Sequence, residues 1–197
     1  AKLGCIPAPI EGVLGDTITC LESQTYFIIN PPGPAVSYNW TLSGGGTLVA
    51  NNTSATINWA TTGIHTLTAT PTNDCGLGGA FSLEIRVLDI PQQPVINGDA
   101  TACVGSETYN INNVFGENYT WSLTGGGNLF PLGNTAIVNW GVTGMHTLSV
   151  TPSNQCGIGQ ADFYPIDVKE IPSQPAPIVG NSSVCLSTQT YSVPSVV

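Results

Sequence analysis

The sequence predicts an all-β chain made of tandem antiparallel β-sandwich domains. Three observations point to this fold class. Matching residues recur about 81 positions apart, as Trp40 and Trp121 do. Apolar and polar residues alternate along each candidate strand, and turns rich in Gly, Asn and Pro separate the strands. No segment combines helical periodicity with helix caps.

The repeated block begins at a cysteine, and a third copy begins before the sequence stops. Cys20, Cys103 and Cys185 each open the pattern Cys-x-x-x-(Gln/Glu)-Thr-Tyr-x-(Ile/Val). Other matched pairs are Trp59 with Trp140, His65 with His146, and Cys75 with Cys156. A chain that repeats whole domains favours reach or multiplicity over a single reaction centre.

Proline-rich segments at 90–94 and 171–175 mark the domain boundaries. Paired prolines favour extended backbone, so these linkers should hold neighbouring domains apart. We therefore predict an N-terminal linker segment at 1–14, a first repeat at 15–95, a second repeat at 96–177 and the incomplete start of a third at 178–197.

Within the first repeat, four segments alternate strictly: Tyr38–Leu42, Thr56–Trp59, Thr66–Ala69 and Phe81–Val87. This pattern places one face of each strand on a core and the other in water, which is typical of an antiparallel sandwich. In the second repeat Pro165 falls inside the last candidate strand. Because proline cannot donate to a ladder, we expect that strand to be at an edge or bulged there.

The chain is acidic and low in charge, with 8% charged residues and a net charge of −9. Such a charge repels phosphate groups, which excludes nucleic acid as a partner and disfavours anionic membrane surfaces. No apolar stretch approaches the ~20 residues that span a bilayer, so we expect no membrane insertion. The start lacks a signal peptide, and we interpret it as a mature or internal segment.

The cysteines predict disulfides, because their spacing does not fit a zinc site. Cys20 and Cys75 enclose one repeat, and Cys103 and Cys156 enclose the next. We predict these two bonds, each closing a loop of ~55 residues and contributing roughly 4 kcal/mol. A bond between Cys75 and Cys103 across the linker is the alternative.

Two cysteines are left over. Cys185 is the first cysteine of a repeat whose second one is missing, and Cys5 matches no repeat position. We predict that both are unpaired or form intermolecular bonds. Disulfides persist in oxidising compartments, so the location should be extracytoplasmic.

The recurring motifs resemble the PKD-like repeats of large Bacteroidota surface proteins. They are Tyr38-x-Trp40-x-Leu42-x-Gly-Gly, Ile57-Asn58-Trp59, Thr-Gly-x-His-Thr-Leu and Asn73-x-Cys75-Gly76. The acidic Gly-Asp-Gly loop of standard PKD domains is replaced by Gly-Gly-Gly. The resemblance implies tandem Ig-like β-sandwiches on secreted adhesins, gliding-motility proteins and surface filaments, and it carries no catalytic residues.

Six aromatic residues are predicted to lie in the cores: Tyr26, Tyr109, Trp40, Trp121, Trp59 and Trp140. Trp40 and Trp121 should pack against the predicted disulfides. Trp59 and Trp140 follow the apolar parity of Ile57 and Val138. An alternative use for this last pair is to stack on sugar rings near the strand ends.

No catalytic, metal or cofactor site is predicted. His65 and His146 occur once per repeat without fixed acidic neighbours, so we interpret them as structural. The triplets Gly44–Gly46 and Gly125–Gly127 lack the lysine and the helix of a phosphate cradle and should be hairpin turns. A calcium ion on Asp16 or Asp99 is a weaker alternative.

Candidate glycosylation sites follow from the expected location. Five asparagines satisfy Asn-x-(Ser/Thr): Asn39, Asn51, Asn52, Asn118 and Asn181. Asp16-Thr17-Ile18 resembles a short O-glycosylation signal of Bacteroidota, which makes Thr17 a candidate.

Together these features predict a structural and interaction segment of an extracellular repeat protein on a bacterial cell surface: a filament, stalk or adhesin without catalysis. Its partners would be copies of itself, neighbouring repeats, or surface glycans. One alternative is a carbohydrate-binding module that uses Trp59 and Trp140. Another is a self-polymerising fibre subunit in which residues 182–197 add a strand to a neighbour.

Overall fold

A computed structural model describes residues 6–31 and 36–194, and the regular structure in those ranges is entirely β-strand. The strands of the first repeat are β1 (Val13–Leu14), β2 (Ile18–Cys20), β3 (Ser23–Ile28), β4 (Ser37–Leu42), β5 (Gly46–Asn51), β6 (Ser54–Trp59), β7 (Gly63–Asn73), β8 (Gly76–Leu77) and β9 (Phe81–Leu88). Those of the second are β10 (Thr101–Cys103), β11 (Gly105–Asn110), β12 (Asn118–Leu123), β13 (Gly127–Leu132), β14 (Thr135–Trp140), β15 (Gly144–Asn154), β16 (Gly157–Ile158) and β17 (Asp162–Lys169).

Each repeat forms two sheets. In the first repeat the strand orders are β1-β3-β6-β5 and β2-β9-β7-β4, with β8 paired to β7. In the second they are β11-β14-β13 and β10-β17-β15-β12, with β16 paired to β15. The all-β sandwich class predicted from the period-two pattern is confirmed.

One strand pair per repeat is parallel, which the period-two pattern did not predict. Ile18 to Cys20 run alongside Arg86 to Leu88 in the first repeat, and Thr101 to Cys103 run alongside Asp167 to Lys169 in the second. The antiparallel pairs are β1-β3, β3-β6, β5-β6, β4-β7 and β7-β9 in the first repeat, and β11-β14, β13-β14 and β15-β17 in the second. A short entering strand therefore lies beside the last strand of its own repeat.

Pro165 lies opposite Thr147 in the antiparallel pair of β15 and β17. On the other side of β17, the β10 pairing covers only Asp167 to Lys169. The proline therefore occupies a stretch where that side of β17 has no strand partner, and its missing N–H leaves no ladder bond unmade.

The cores consist of the residues that alternation places on the inner faces. Tyr26, Ile57, Leu67 and Ile85 are fully buried in the first repeat, and Tyr109, Val138, Leu148 and Ile166 hold matching positions in the second. Burying a side chain of this size stabilises the fold by about 1.5–3 kcal/mol. Trp40, Trp59, Trp121 and Trp140 are buried as well.

Trp40 and Trp121 hold a turn rather than a disulfide. The Trp40 indole N–H donates to the Asn52 carbonyl (2.8 Å), and that of Trp121 donates to the Gly133 carbonyl (2.9 Å). Asn52 and Gly133 have positive φ, at 43° and 64°. In each repeat the indole thus binds the carbonyl of a residue that has left-handed backbone at the tip of a hairpin.

The predicted bond between Cys20 and Cys75 is corrected by the structure, in which Cys20 is bonded to Cys156. Cys20 pairs with Leu88 beside the start of β7, where Gly63 faces Val87. Cys75 follows the far end of this eleven-residue strand, roughly 33 Å away at ~3.3 Å per residue. A disulfide requires Cα atoms within ~7 Å, so the bond cannot close within the repeat.

The predicted bond between Cys103 and Cys156 is also corrected, because Cys156 is bonded to Cys20 and the eleven-residue strand β15 separates the two ends of the second repeat. Cys103 is free and exposed, and the alternative bond from Cys75 to Cys103 is excluded with it. Cys75 is disulfide-bonded, and Cys185 is free and exposed. Cys5, which we predicted to be unpaired or intermolecular, lies outside the described residues.

The chain divides into two compact units. Unit 1 comprises Ala1–Pro94, Asn113–Thr120 and Thr151–Ala161; unit 2 comprises Val95–Asn112, Trp121–Val150 and Asp162–Val197. The two shorter segments of unit 1 belong to the second repeat by sequence. Packing therefore groups parts of the second repeat with the first, which a division at the proline-rich linkers did not anticipate.

A Tyr-to-backbone bond recurs in all three copies of the repeat start. The tyrosine hydroxyl donates to the carbonyl ten residues earlier: Tyr26 to Asp16 (3.1 Å), Tyr109 to Asp99 (3.4 Å) and Tyr191 to Asn181 (3.0 Å). Within residues 178–194 of the third copy, strand-like pairing is confined to a β-bridge between Val179 and Ser192. In the ranges the structure describes, no helix is long and apolar enough to cross a membrane.

Candidate functional site

The histidines and the glycine triplets form a structural cluster in each repeat. The His65 ring stacks on Trp59 with centroids 5.4 Å apart, and its Nε2 lies 3.2 Å from the Thr61 carbonyl oxygen. Gly45, with φ at +84°, packs directly on that ring. His146, Trp140 and Gly126 repeat the arrangement.

No catalytic or metal site emerges near these residues. Residues 6–31 and 36–194 contain no group of three His, Cys, Asp or Glu that could hold a metal ion. Asp16, one of the two calcium candidates, accepts from the Gln24 side-chain amide (2.8 Å). Asp99 contributes its backbone carbonyl to Tyr109. Neither joins a cluster of oxygen ligands of the kind that calcium needs.

The sugar-stacking alternative for Trp59 and Trp140 is wrong. Their exposed fractions are 3% and 2%, and the faces that a sugar would need are packed against histidine. The Trp140 indole N–H donates to the Tyr109 hydroxyl (3.3 Å) inside the core. A ring that stacks on a carbohydrate must present its face to solvent.

Burial raises the pKa of the core tyrosines. The pKa of Tyr26 rises to about 12, chiefly through burial; the Trp59 side chain lowers it and the Asp16 charge raises it. The pKa of Tyr109 is raised by the same main cause. These hydroxyls are therefore neutral hydrogen-bonding groups at neutral pH.

The candidate glycosylation residues are all exposed: Thr17, Asn39, Asn51, Asn52, Asn118 and Asn181. Thr17 also lies beside β9, where its carbonyl accepts from the Arg86 backbone N–H (2.8 Å). Their accessibility keeps them as candidates and assigns no modification.

The most specific contacts lie in unit 1, at the end of the first sandwich where β2, β7 and β9 meet. We call this region the junction: it consists of Ile18–Cys20, Thr62–Gly63 and Arg86–Gln92, together with the segments 113–120 and 151–161. Its covalent element is the bond between Cys20 and Cys156, whose Cα atoms are 5.5 Å apart. The bond closes a chain separation of 136 residues.

Hydrogen bonds surround this disulfide, and the acceptors are backbone carbonyls. The Gln155 side-chain amide donates to the Ile18 carbonyl (3.0 Å), and the Asn154 amide donates to the Asp89 carbonyl (2.7 Å). Gln93 donates to the Ala161 carbonyl (2.8 Å). The contacts at Ile18 and Asp89 thus depend on the backbone of the first sandwich rather than on its side chains.

Glycines permit a close approach at the junction. A Cβ on Gly159 would collide with the Pro91 carbonyl and lie 2.9 Å from Pro152 Cγ. Gly78, at the corresponding place in the first repeat, would meet the Pro7 carbonyl at 2.6 Å. The motif Cys-Gly-x-Gly after the second cysteine of each repeat is therefore a packing motif against a proline-rich segment. The motif occurs twice in the sequence. Its partner could not be predicted as long as each repeat was taken to be a closed domain.

A groove of about 400 Å³ lies at the junction beside the linker. The Arg86 guanidinium carbon lies 4.4 Å from the centre of the Phe115 ring, and this contact contributes about 0.5–1 kcal/mol where solvent has access. Leu88 Cδ1 is 3.5 Å from where a Cβ on Gly116 would stand. Asp89 and Glu117 line the groove together with Arg86.

Unit 2 has a corresponding end, which we call the distal face because it belongs to the repeat that is later in the sequence: Thr101–Val104, Gly141–Thr143 and Glu170–Ile171. A cavity of about 420 Å³ is lined by Val104, Gly141–Thr143, Glu170 and Ile171. Thr143, Glu170 and Ile171 stand 81 positions after Thr62, Asp89 and Ile90 of the junction. The sequence predicted a bond from Cys103 to Cys156, whereas Cys103 is free.

Comparison with known proteins identifies the repeat type. The sequence profile of the PKD-like domain matches residues 6–85 and 90–166. The solved Escherichia coli adhesin FdeC is 16% identical, with a TM-score of 0.52 over 92% of this chain and 71% of that chain. Domains FN1–FN3 of chicken CNTN1 are 14% identical, with a TM-score of 0.40 over 96% and 76% of the two chains. The likeness to FdeC shows a shared fold. No curated protein sequence matches the chain.

Proposed function

This chain belongs to the PKD-like domain family, and we propose that it is a structural and interaction segment of an extracellular repeat protein at a bacterial cell surface. Its role is to position neighbouring domains and to bear mechanical load rather than to catalyse a reaction. The motif resemblance extends this proposal to surface proteins of the Bacteroidota type, such as stalks, filaments and adhesins.

The junction of unit 1 is the observation that carries the proposal. Segments of the second repeat pack on the end of the first sandwich and are fixed there by the bond between Cys20 and Cys156. A spacer transmits force only if its repeats resist separation, and a covalent bond provides that resistance. Such a bond also persists only in an oxidising compartment, which supports a location outside the cytoplasm.

The overall charge of the chain agrees with this role. With 8% charged residues and a net charge of −9, the chain has little long-range attraction for polyanions and enough charge to stay soluble. The fold it shares with the adhesin FdeC is compatible with an adhesive or spacer function. Strand addition by residues 182–197 remains an alternative mode of assembly, tested by deleting those residues.

Surface shaving of intact cells tests the proposal. An antibody raised against the chain should label intact cells of the source organism, and external protease should release the antigen. Free thiols are blocked with iodoacetamide before release, so that only native disulfides survive. Mapping under non-reducing conditions should then recover a peptide pair containing Cys20 and Cys156.

Two outcomes would contradict the proposal. One is labelling that requires cell lysis, and the other is recovery of Cys20 and Cys156 as separately alkylated peptides. Loss of labelling after protease treatment, with a cytoplasmic marker unaffected, provides the control for cell integrity.

A further inference from the structure

We propose that the distal face of unit 2 is the docking surface for a further copy of the same repeat, and that Cys103 bonds to the second cysteine of that copy. This inference rests on the proposed function and deepens it by naming the partner and the bond. The occupant is a PKD-like repeat of this type, docking through its segment equivalent to residues 151–161.

The distal face has the same backbone register as the occupied end of the first sandwich. Cys103 stands opposite Lys169 in a parallel pair, as Cys20 stands opposite Leu88. The Asp167 N–H donates to the Ala100 carbonyl (2.9 Å), which matches the bond from Arg86 to Thr17 (2.8 Å). Cys103 is therefore held where Cys20 is held, relative to its own sandwich.

The two ends differ in whether they are covered. Cys20 is partly buried and bonded, whereas Cys103 is exposed and free. Val142 and Ile171 at the distal face are 60% and 63% exposed, and they border the cavity of about 420 Å³. The face thus combines an unbonded thiol, exposed apolar side chains and a recess of the size found at the junction.

The hydrogen bonds that hold residues 151–161 at the junction can also form at the distal face, because their acceptors are backbone carbonyls. Asn154 and Gln155 donate to the carbonyls of Asp89 and Ile18. At the distal face those positions are occupied by Glu170 and Thr101, which present a carbonyl regardless of side chain. The contact between Arg86 and Phe115 does not carry over, because Asp167 stands in place of Arg86 and is paired with Lys169 (2.6 Å).

The chain itself indicates that the occupant is a repeat. Both complete copies carry Asn-x-Cys-Gly at the docking segment, as Asn73 to Gly76 and as Asn154 to Gly157. The asparagine side-chain oxygen accepts from the cysteine N–H in each (2.9 and 2.8 Å). Every complete repeat therefore has one cysteine for the repeat before it and one for the repeat after it. Cys75 and Cys156 are already bonded, so a second copy of this chain offers no free docking cysteine.

Bond formation requires an oxidant, and a low-molecular-weight disulfide supplies it. The Cys103 thiolate attacks that disulfide and releases one small thiol. The incoming cysteine thiolate then attacks the mixed disulfide at the Cys103 sulfur and releases the second small thiol. Two protein thiols are oxidised to one disulfide, and one small disulfide is reduced to two thiols.

A three-repeat chain tests the inference. Residues 1–177 are followed by a second copy of residues 96–177, so that the appended repeat starts where the third copy starts at Ile178. The protein is oxidised with glutathione disulfide, alkylated with iodoacetamide and mapped without reduction. We expect Cys103 to lose its labelling and to appear in one peptide pair with the appended counterpart of Cys156.

The same molecule contains its own control, because the appended counterpart of Cys103 has no repeat after it and should appear only alkylated or as a mixed disulfide with glutathione. Replacing the appended counterpart of Cys156 by serine should leave Cys103 in that same state. A Cys103 that stays alkylated or bound to glutathione in the intact three-repeat chain, or that bonds to Cys103 of a second molecule, overturns the inference. The bond between Cys20 and Cys156 is read in the same digest, and its absence would instead count against the proposed function.

Discussion

At the scale of single residues, each repeat depends on a cluster of Trp, His and Gly. His65 lies between Trp59 and Gly45 and contacts the Thr61 carbonyl, so a residue with the chemistry of a catalyst fills a structural position. The sequence predicted the structural role from the absence of acidic neighbours. The partners could not be predicted, because the hairpin brings together positions that are 20 residues apart.

Replacing Gly45 should test this cluster. In Gly45→Ala the new methyl group meets the His65 ring and the backbone keeps φ at +84°, so we expect a loss of about 2 kcal/mol in the free energy of unfolding. Gly44→Ala, also at positive φ but with nothing within 4 Å, should cost less. Urea unfolding measures both. If the His65→Ala background does not reduce the cost of Gly45→Ala, the ring contact is not its source.

Alkaline pH should destabilise the first sandwich through Tyr26. Its folded pKa of about 12 lies above the ordinary tyrosine pKa of 10.0, so the folded state retains the proton more strongly. This contribution to stability is complete below pH 10 and is lost as the pH rises through about 12. Urea unfolding between pH 9 and 12, with free thiols alkylated, should show a shallower decline for Tyr26→Phe than for wild type. Equal slopes would contradict the assignment.

At the scale of elements, the eleven-residue strands decide which cysteines can meet. Repeat spacing alone suggested that two cysteines enclosing a repeat bond to each other. The strand β7 separates Cys20 from Cys75 by its full length, and β15 has the same length in the second repeat. Alternation predicts that such strands exist, but not which strand ends lie together, because that depends on packing between segments far apart in sequence.

Removing the junction disulfide should destabilise unit 1 strongly. Closing a loop of 136 residues contributes roughly 5 kcal/mol on the chain-entropy model. We expect Cys156→Ser to lose about 2–5 kcal/mol in guanidinium unfolding. Reductant should destabilise wild type at least as much, because it also breaks the disulfide of Cys75. Cys103→Ser is the matched control, since Cys103 makes no bond here. Equal stability of the two variants would show that the bond does not constrain the chain.

The Cys-Gly-x-Gly motif should tolerate no side chain at its second glycine. Gly159→Ala would push a methyl group into the Pro91 carbonyl, and such overpacking typically costs 1–3 kcal/mol. Gly141→Ala has nothing within 4 Å and should change stability by less than ~0.5 kcal/mol. Thermal unfolding of the oxidised proteins compares them. A Gly159→Ala variant as stable as Gly141→Ala would contradict the close approach.

At the scale of the whole molecule, the sequence predicted the sandwiches, their number and their family, because these depend on local alternation and on the repeat. It did not predict that residues 113–120 and 151–161 pack with the first sandwich. Those segments look like ordinary loops of their own repeat. Their second role depends on side-chain amides that reach carbonyls more than 60 residues away, such as the one from Asn154 to Asp89.

Pulling on the chain ends should reveal that second role directly. In the oxidised protein the bond between Cys20 and Cys156 bypasses 136 residues, which cannot extend until it is broken. Because Cys75 is also disulfide-bonded, the measurement uses a Cys75→Ser background, in which reduction should add roughly 450–490 Å of contour length at ~3.3–3.6 Å per residue in single-molecule force measurements. In that background Cys156→Ser should show the longer extension without reductant, while Cys103→Ser should match the oxidised parent. The same contour length with and without reductant would mean that the junction carries no load through its disulfide, and the load-bearing role proposed for this chain would then fail.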